Sequence, residues 1–323
     1  MFSLDINRTS IKHNKNNILT LMEKMKKSFE YMVSSDAILN KYNSNISDYS
    51  DKLDTKNNVN ARYYLQFSGF PIHLQKENFE DEIWNSRKTF FNKSGLESKV
   101  KYNKIFIESN PITFIPNVLR VSIGHFIFNE SIELKDNKFC SERWKYLKKI
   151  YNFKVKPMRK DGEHILFLLQ STKQYFLKGE NFESIINESI SKIRKFSNRK
   201  IILRYKPGCG EKFNIKDSES NIVISMNKNL KDDLKNAWIT VSHSTLASVT
   251  AIINGVPHIA LSKYSLPYSV SDHDLSKIEN PTIFDRTNFF NKLSINVWSV
   301  EELIDGTYWR FYFDHLNNFK KYF

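Results

Sequence analysis

Four consecutive hydrogen-bonding side chains, Ser242, His243, Ser244 and Thr245, interrupt a stretch from Ala237 to Leu261 that is otherwise mainly apolar or small. The apolar run Trp238 to Val241 precedes them. A small-residue segment with helical spacing, Leu246 to Asn254, follows, then Gly255-Val256-Pro257 and a second apolar run. The pattern reads strand, tight turn, helix, turn, strand: one right-handed βαβ unit with its polar groups at the carboxyl end of the first strand. A helix that opens with hydroxyl side chains and backbone N–H groups can hold a phosphate or another anion without a lysine. The same residues also fit a plain crossover with a Ser/Thr cap, and His243 also fits a turn tied to a backbone carbonyl. Gly255 and Pro257 shape the following turn and allow close backbone approach, and His258 starts a strand in a structural role.

Alternating elements surround this segment. Strands are expected at Tyr63 to Phe67 and Lys104 to Glu108, then at His164 to Gln170, Lys200 to Tyr205, Ile222 to Met226, Trp238 to Ser242 and His258 to Leu261. Helices are expected at Phe182 to Phe196, Leu230 to Asn236 and Leu246 to Asn254. Strand and helix in alternation predict an α/β fold whose parallel sheet is covered on both faces. Residues 1–60 read as an N-terminal helical appendage and linker, with a helix over Ile18 to Val33. A first unit is expected over 61–153 and a second over 154–299. Two further helical patterns, Phe284 to Trp298 and an aromatic one from Val300 to about Leu316, close the chain, with 300–323 expected to return to the first unit. The aromatic stripe is read as packing.

The 323 residues carry 40% hydrophobic and 14% aromatic content, which excludes a disordered chain and is enough for two modest domains. No window nears an uninterrupted apolar run of about 18 residues, so no membrane span is expected. The N-terminus lacks a signal-type apolar core, and Cys140 and Cys209 have no metal-ligand spacing. Both features predict a cytoplasmic location, the host cytoplasm if the protein is viral. The formal net charge is +14, and it concentrates between Cys140 and Phe213, where eighteen Lys and Arg face seven acids. An excess of that size attracts polyanions at long range, although a Lys- and Asn-rich composition also raises it without a partner.

Taken in order, four segments resemble the two-domain GT-B class of nucleotide-sugar-dependent glycosyltransferases. They are Trp144 to Gln170, Ile193 to Pro207, the stretch VSHSTLASVTAIINGVPHIAL, and Ile278 to Trp309. The likeness is to small members met in phages and in bacterial surface-polysaccharide loci, and it covers about two-thirds of the chain. It implies two Rossmann-like domains facing a cleft, the first on the acceptor side and the second binding the donor. Two departures stand out. Gln170 leads into Ser171-Thr172-Lys173-Gln174 without the glycine turn often found there. Arg204-Tyr205-Lys206-Pro207 stands where Arg-x-His-Pro is common, and a lysine cannot act as a neutral imidazole acceptor.

The resemblance implies a donor site of Gln170, Arg204, Lys206, Ser242, His243, Ser244 and Thr245, stabilising the leaving phosphate. It implies an acceptor base from the first domain. Glu108, ending the apolar strand IFIES, is the expected residue, with His73 and His125 as rivals. No cofactor beyond the nucleotide-sugar co-substrate and no metal is expected. Asp272-His273-Asp274 looks like an Asp-x-Asp metal signature, but its position favours a capped turn before Leu275. Three functions follow. The foremost is transfer to a hydroxymethylated pyrimidine in phage-type double-stranded DNA, favoured by the basic segment and contacted by Lys154, Lys156, Arg159 and Lys160. Another is transfer to a surface or lipid-linked glycan. The third is non-catalytic nucleic-acid binding on a degenerate fold.

Overall fold

The computed structural model describes residues 3–6, 21, 23–25, 27–28, 62–67, 104–123, 128, 131, 134, 136–170, 181–206, 221–225 and 229–315; for 3–6, 62–67, 104–106, 108, 123 and 313 it describes backbone alone. Two separate five-stranded sheets organise these residues. The first contains β1 (Ser3–Ile6), β2 (Arg62–Phe67), β3 (Lys104–Glu108) and β4 (Val118–Ile123). β1, β2 and β3 run parallel, and β4 pairs antiparallel with β3.

Helix α1 (Asn137–Ile150) leads out of this unit, its first turn capped by the Asp136 carboxylate accepting from Phe139 N–H. β5 (His164–Leu168) then opens the second sheet and is buried at every position. Such a continuous apolar run is what a central parallel strand needs, since helices cover both of its faces. Helix α2 (Phe182–Arg194) starts at an Asn181 cap and leads to β6 (Lys200–Arg204) and β7 (Ile222–Ile224). Helix α3 (Leu230–Leu234) precedes β8 (Ala237–Ser242), and α4 (Ala247–Ile253) connects it to β9 (His258–Ala260). All pairings in the resulting order, β7-β6-β5-β8-β9, are parallel.

Strand alternation sorts the core of this sheet into two layers. Ile165, Phe167, Ile201, Leu203, Ile239 and Val241 pack under α2 through Ile186, Ile190 and Ile193. Leu166 and Leu168 face Leu234, Ala251 and Val256 on the other side. A third cluster joins the units: Ile112, Ile115 and Val118 meet Val249, Ile252 and Ile253 of α4 and Leu293 and Val297 near the C-terminus.

Both chain ends differ from the expected boundaries. Ser3–Ile6 is the edge strand of the first sheet, and Trp309 Nε1 donates to the carbonyl of helical Met25 at 3.0 Å. The described residue stretch Ser3–Ile6 therefore belongs to the first sheet. A four-residue strand is too short to announce itself by alternation. The return to the first unit also comes earlier than residue 300. Helix α5 (Thr287–Asn296) packs on α1, with Trp144 stacked on Phe290 at 4.8 Å, and β10 (Val297–Ser299) pairs antiparallel with β4. Three strand residues do not disturb a helical period, so the pattern Phe284 to Trp298 hid them. Helices α6 (Val300–Ile304) and α7 (Thr307–Asp314) follow. They are separated at Gly306, whose φ of 92° favours glycine.

One buried cation fastens this return. Arg143 of α1 makes a two-pronged pair with Glu302 at 3.0 and 3.1 Å and donates to the carbonyls of Ser294 and Val297. Its guanidinium lies 3.5 Å from the centre of the Trp298 ring. Glu302 also closes a capping box with Ser299 at the start of α6.

Candidate functional site at the switch point of the second sheet

From β5 the chain proceeds outward to β6 and β7 on one side and to β8 and β9 on the other. The carboxyl ends of β5 and β8 are neighbours whose connections leave in opposite directions, and open α/β sheets bind ligands in the crevice outside such a pair. Gln170, just beyond β5, and the Ser242–Thr245 turn, at the end of β8, occupy this position.

They are tied together. Gln170 Oε1 accepts from Ser244 N–H at 3.0 Å and from Ser244 Oγ–H at 2.9 Å. With both acceptor positions used, the Gln170 amide presents its NH2 as donor. Thr245 Oγ1 accepts from Ala247 N–H at 3.4 Å, and the Thr245 carbonyl accepts from the Ser248 hydroxyl at 2.6 Å, which bends the chain into α4. The N–H groups of Thr245 and Leu246 carry no partner among the described residues. His243 is buried, with Nδ1 3.2 Å from Ser244 Oγ.

Ser242 has a different task. Its fully buried hydroxyl lies 3.2 Å from His258 Nε2, while Thr240 Oγ1 lies 2.9 Å from His258 Nδ1 and 3.1 Å from the Pro257 carbonyl. Because the Thr240 hydroxyl donates to Pro257, Nδ1–H donates to Thr240 and Nε2 accepts from Ser242. His258 is thus a neutral ring satisfied at both nitrogens. Burial drops its pKa to about 3.

Arg204 is a correction to the expected donor set. Alternation puts it on the same face of β6 as Ile202, where it pairs with the Asp233 carboxylate of α3 inside the protein. Ser225 Oγ donates to the same carboxylate at 2.7 and 2.8 Å. Its charge is neutralised under the sheet instead of facing the crevice. Asp233, buried in the unremarkable sequence LKDDL, left no signal of this pairing. Lys206, two residues beyond β6, is exposed at the carboxyl edge.

Glu108 ends β3, and its side chain lies outside the described residues, as do His73 and His125. Its backbone position is informative. Across the ladder stands Arg120, a register partner whose guanidinium is buried and pulled down to about 9 by desolvation. The loop that follows Glu108 is folded by Asn110, which accepts from Ile112 N–H and donates to the Ile115 carbonyl. That loop reaches the second unit, where the Thr113 and Thr250 hydroxyls meet at 2.9 Å. The loop after β3 therefore touches the second unit, a contact that sequence spacing did not reveal.

The remaining motifs are structural. Asp272 accepts from Thr282 N–H and hydroxyl, and Asp274 caps the turn at Ser276, as expected of a capped turn before Leu275. Among the described residues no group of three or more His, Cys, Asp or Glu could hold a metal ion. Gly255 has φ of +75°, and a Cβ there would stand 2.0 Å from the Pro157 carbonyl oxygen. The segment bearing Lys154, Lys156, Arg159 and Lys160 passes along the end of α4, with Lys156 N–H donating to the Ile253 carbonyl and Arg159 N–H to Gly255. It reaches the amino ends of the strands, where Arg159 Nη1 donates to the carbonyls of Lys235 and Ala237. That is the edge opposite the switch point.

This architecture, two α/β units each built on a five-stranded sheet, is the GT-B fold. No protein-family model matches the chain, and no curated protein matches it. Solved structures do. The beta Kdo 2,4 transferase of KpsC from Thermosulfurimonas dismutans superposes with a TM-score of 0.50 at 10% identity, covering 94% of this chain and 98% of that one. The beta Kdo 2,7 transferase of the same protein covers 95% and 99% with a TM-score of 0.49 at 12% identity. The glycosyltransferase SnogD from Streptomyces nogalater covers 49% and 44% at 11% identity with a TM-score of 0.28.

Proposed function

We propose that the chain is a glycosyltransferase that moves a sugar from a nucleotide-sugar donor to a hydroxyl of a saccharide acceptor. The observation that carries this reading is the pairing of Gln170 with Ser244 at the switch point of a GT-B sheet. Their mutual hydrogen bonds use up acceptors and leave donors: the Gln170 NH2 and the N–H groups of Thr245 and Leu246. Preorganised donors stabilise the charge that develops on a leaving phosphate without reorganising at the moment of reaction. Lys206 at the same edge adds a point charge.

The acceptor hydroxyl needs a base, and Glu108 at the end of β3 is the residue assigned to it. Exchange of Glu108 for Gln should abolish transfer while donor binding persists.

A saccharide acceptor is preferred over duplex DNA for a geometric reason. The basic segment that motivated DNA, Lys154 to Lys160, runs to the far edge of the donor sheet, away from the crevice. The Thermosulfurimonas dismutans structure with a TM-score of 0.50 is a beta Kdo 2,4 transferase, and transfer of a sugar to a saccharide is consistent with it. Thermal-shift measurement with UDP-, GDP- and CMP-sugars, each nucleotide alone as control, tests the donor half. Stabilisation by one donor class followed by its hydrolysis supports the reading. No shift with any donor overturns it and leaves a non-catalytic protein on this fold.

A further inference from the structure

The amino edge of the second sheet, opposite the crevice, gathers a set of lysines that the transferase reading does not use. Every segment entering a central strand there carries them: Lys156 and Lys160 before β5, Lys192, Lys195 and Lys200 at β6, and Lys235 before β8. All six are exposed. Lys192, Lys195 and Lys235 close helices, where the helix dipole alone favours a cation. Lys156, Lys160 and Lys200 have no such local cause. The exposed carboxylates of the same edge, Asp161, Glu163 and Asp232, are half as many.

The arginines of this edge are engaged in the fold. Arg159 holds the Lys235 and Ala237 carbonyls, Arg194 holds the Arg199 carbonyl at 2.7 Å, and Arg199 pairs with Glu279 and with the Gly162 carbonyl. Guanidinium forks are the groups that read nucleic-acid phosphates and base edges in fixed geometry. With these committed, what faces solvent is a field of flexible ammonium groups. Beside it, in the turn from α2 to β6, Phe196 leaves 48% of its surface exposed next to Lys195.

Diffuse lysine charge around an exposed aromatic ring is complementary to a bilayer rather than to a duplex. Solvated cations are drawn to the negative leaflet, and a ring settles at the headgroup boundary. We propose that the amino edge of the second sheet docks this protein peripherally on anionic lipid membranes. Attachment through solvated cations and one ring is peripheral and reversible. β8 spans six residues from this edge to the crevice, about 20 Å at 3.3 Å per residue. A docked molecule therefore holds its crevice at the height of an extended glycan instead of a lipid headgroup.

Co-sedimentation of the full chain with vesicles tests this. Binding is expected to vesicles containing phosphatidylglycerol and not to pure phosphatidylcholine, and to fall with salt. The variant Lys195→Gln/Lys200→Gln/Lys235→Gln should lose roughly a hundredfold in partitioning, from about fivefold per lysine. The charge-matched variant Lys138→Gln/Lys145→Gln/Lys149→Gln on α1 should lose little. Phe196→Ser should weaken binding about tenfold without altering the salt dependence. Equal losses in the two triple variants, absence of binding to anionic vesicles, or preference for duplex DNA over those vesicles would each overturn the proposal. Donor-induced thermal shift read on the same variants reports separately on the transferase reading.

Discussion

Gln170 and Ser244, 74 positions apart in the chain, share two hydrogen bonds through a single oxygen, Gln170 Oε1. This contact fixes the end of β5 against the start of α4 and uses the acceptor oxygen of the Gln170 amide. Gln170→Glu keeps the shape but adds a negative charge where the proposed phosphate sits. It should lower nucleotide-sugar affinity at least tenfold, about 1.4 kcal/mol, as read by titration calorimetry. An unchanged affinity would remove Gln170 from the donor site.

Arg204 is expected to matter for folding and not for the donor. Arg204→Ala leaves the Asp233 carboxylate buried without its cation, a change that costs about 3–5 kcal/mol. Replacing both partners, Arg204→Met with Asp233→Leu, should recover most of that loss in denaturant unfolding. Donor affinity of the folded double variant should match the parent. A collapse of affinity at full stability would restore Arg204 to the site.

His258 makes stability depend on pH in a defined window. Its folded pKa, about 3, lies below the unfolded value of 6.5, so the unfolded chain holds the extra proton between those limits. Stability contributed by the neutral ring is full above 6.5 and is lost as pH falls from there toward 3, at about 1.4 kcal/mol per pH unit. His258→Gln should flatten that part of the profile measured by denaturant midpoint. A profile that keeps its slope would place the proton elsewhere.

His243 and His258 should separate functionally although both are buried. His243→Ala disturbs the turn that carries Ser244, so nucleotide affinity should fall several-fold with little loss of stability. His258→Ala leaves the buried Ser242 hydroxyl without its acceptor, removes the Nδ1–H that Thr240 accepts, and should cost about 2 kcal/mol or more. Equal effects on binding would make His243 a purely structural residue.

The Arg143 clamp predicts the behaviour of the C-terminal return. Arg143→Met removes the two-pronged pair with Glu302 and the contact over Trp298, leaving a carboxylate that still caps α6. Unfolding should be about 3 kcal/mol easier. Native-state hydrogen exchange should show β10 and α6 opening first, and uniform loosening of both sheets would contradict this role.

Local pattern alone determined much of this protein. The alternation of apolar runs and helical periods gave the second sheet, strand by strand, because buried parallel strands such as HILFL and AWITVS are apolar at most positions. The polar turn at Ser242 to Thr245 and the glycine at 255 were legible for the same reason: a strand-to-helix corner and a positive φ demand particular residue types.

Tertiary structure decided what those residues do. Whether Arg204 faces a ligand or Asp233, and whether Ser242 faces the crevice or His258, depends on which face of a strand meets which helix, information that two distant segments hold jointly. The three-residue strand β10 and the four-residue strand β1 carry too few positions to show a period, and only pairing with β4 and β2 makes them strands. The basic segment around Lys156 is plain in composition, yet its distance from the crevice follows from its packing against the carboxyl end of α4. Charge is written in the chain; its address is set by packing.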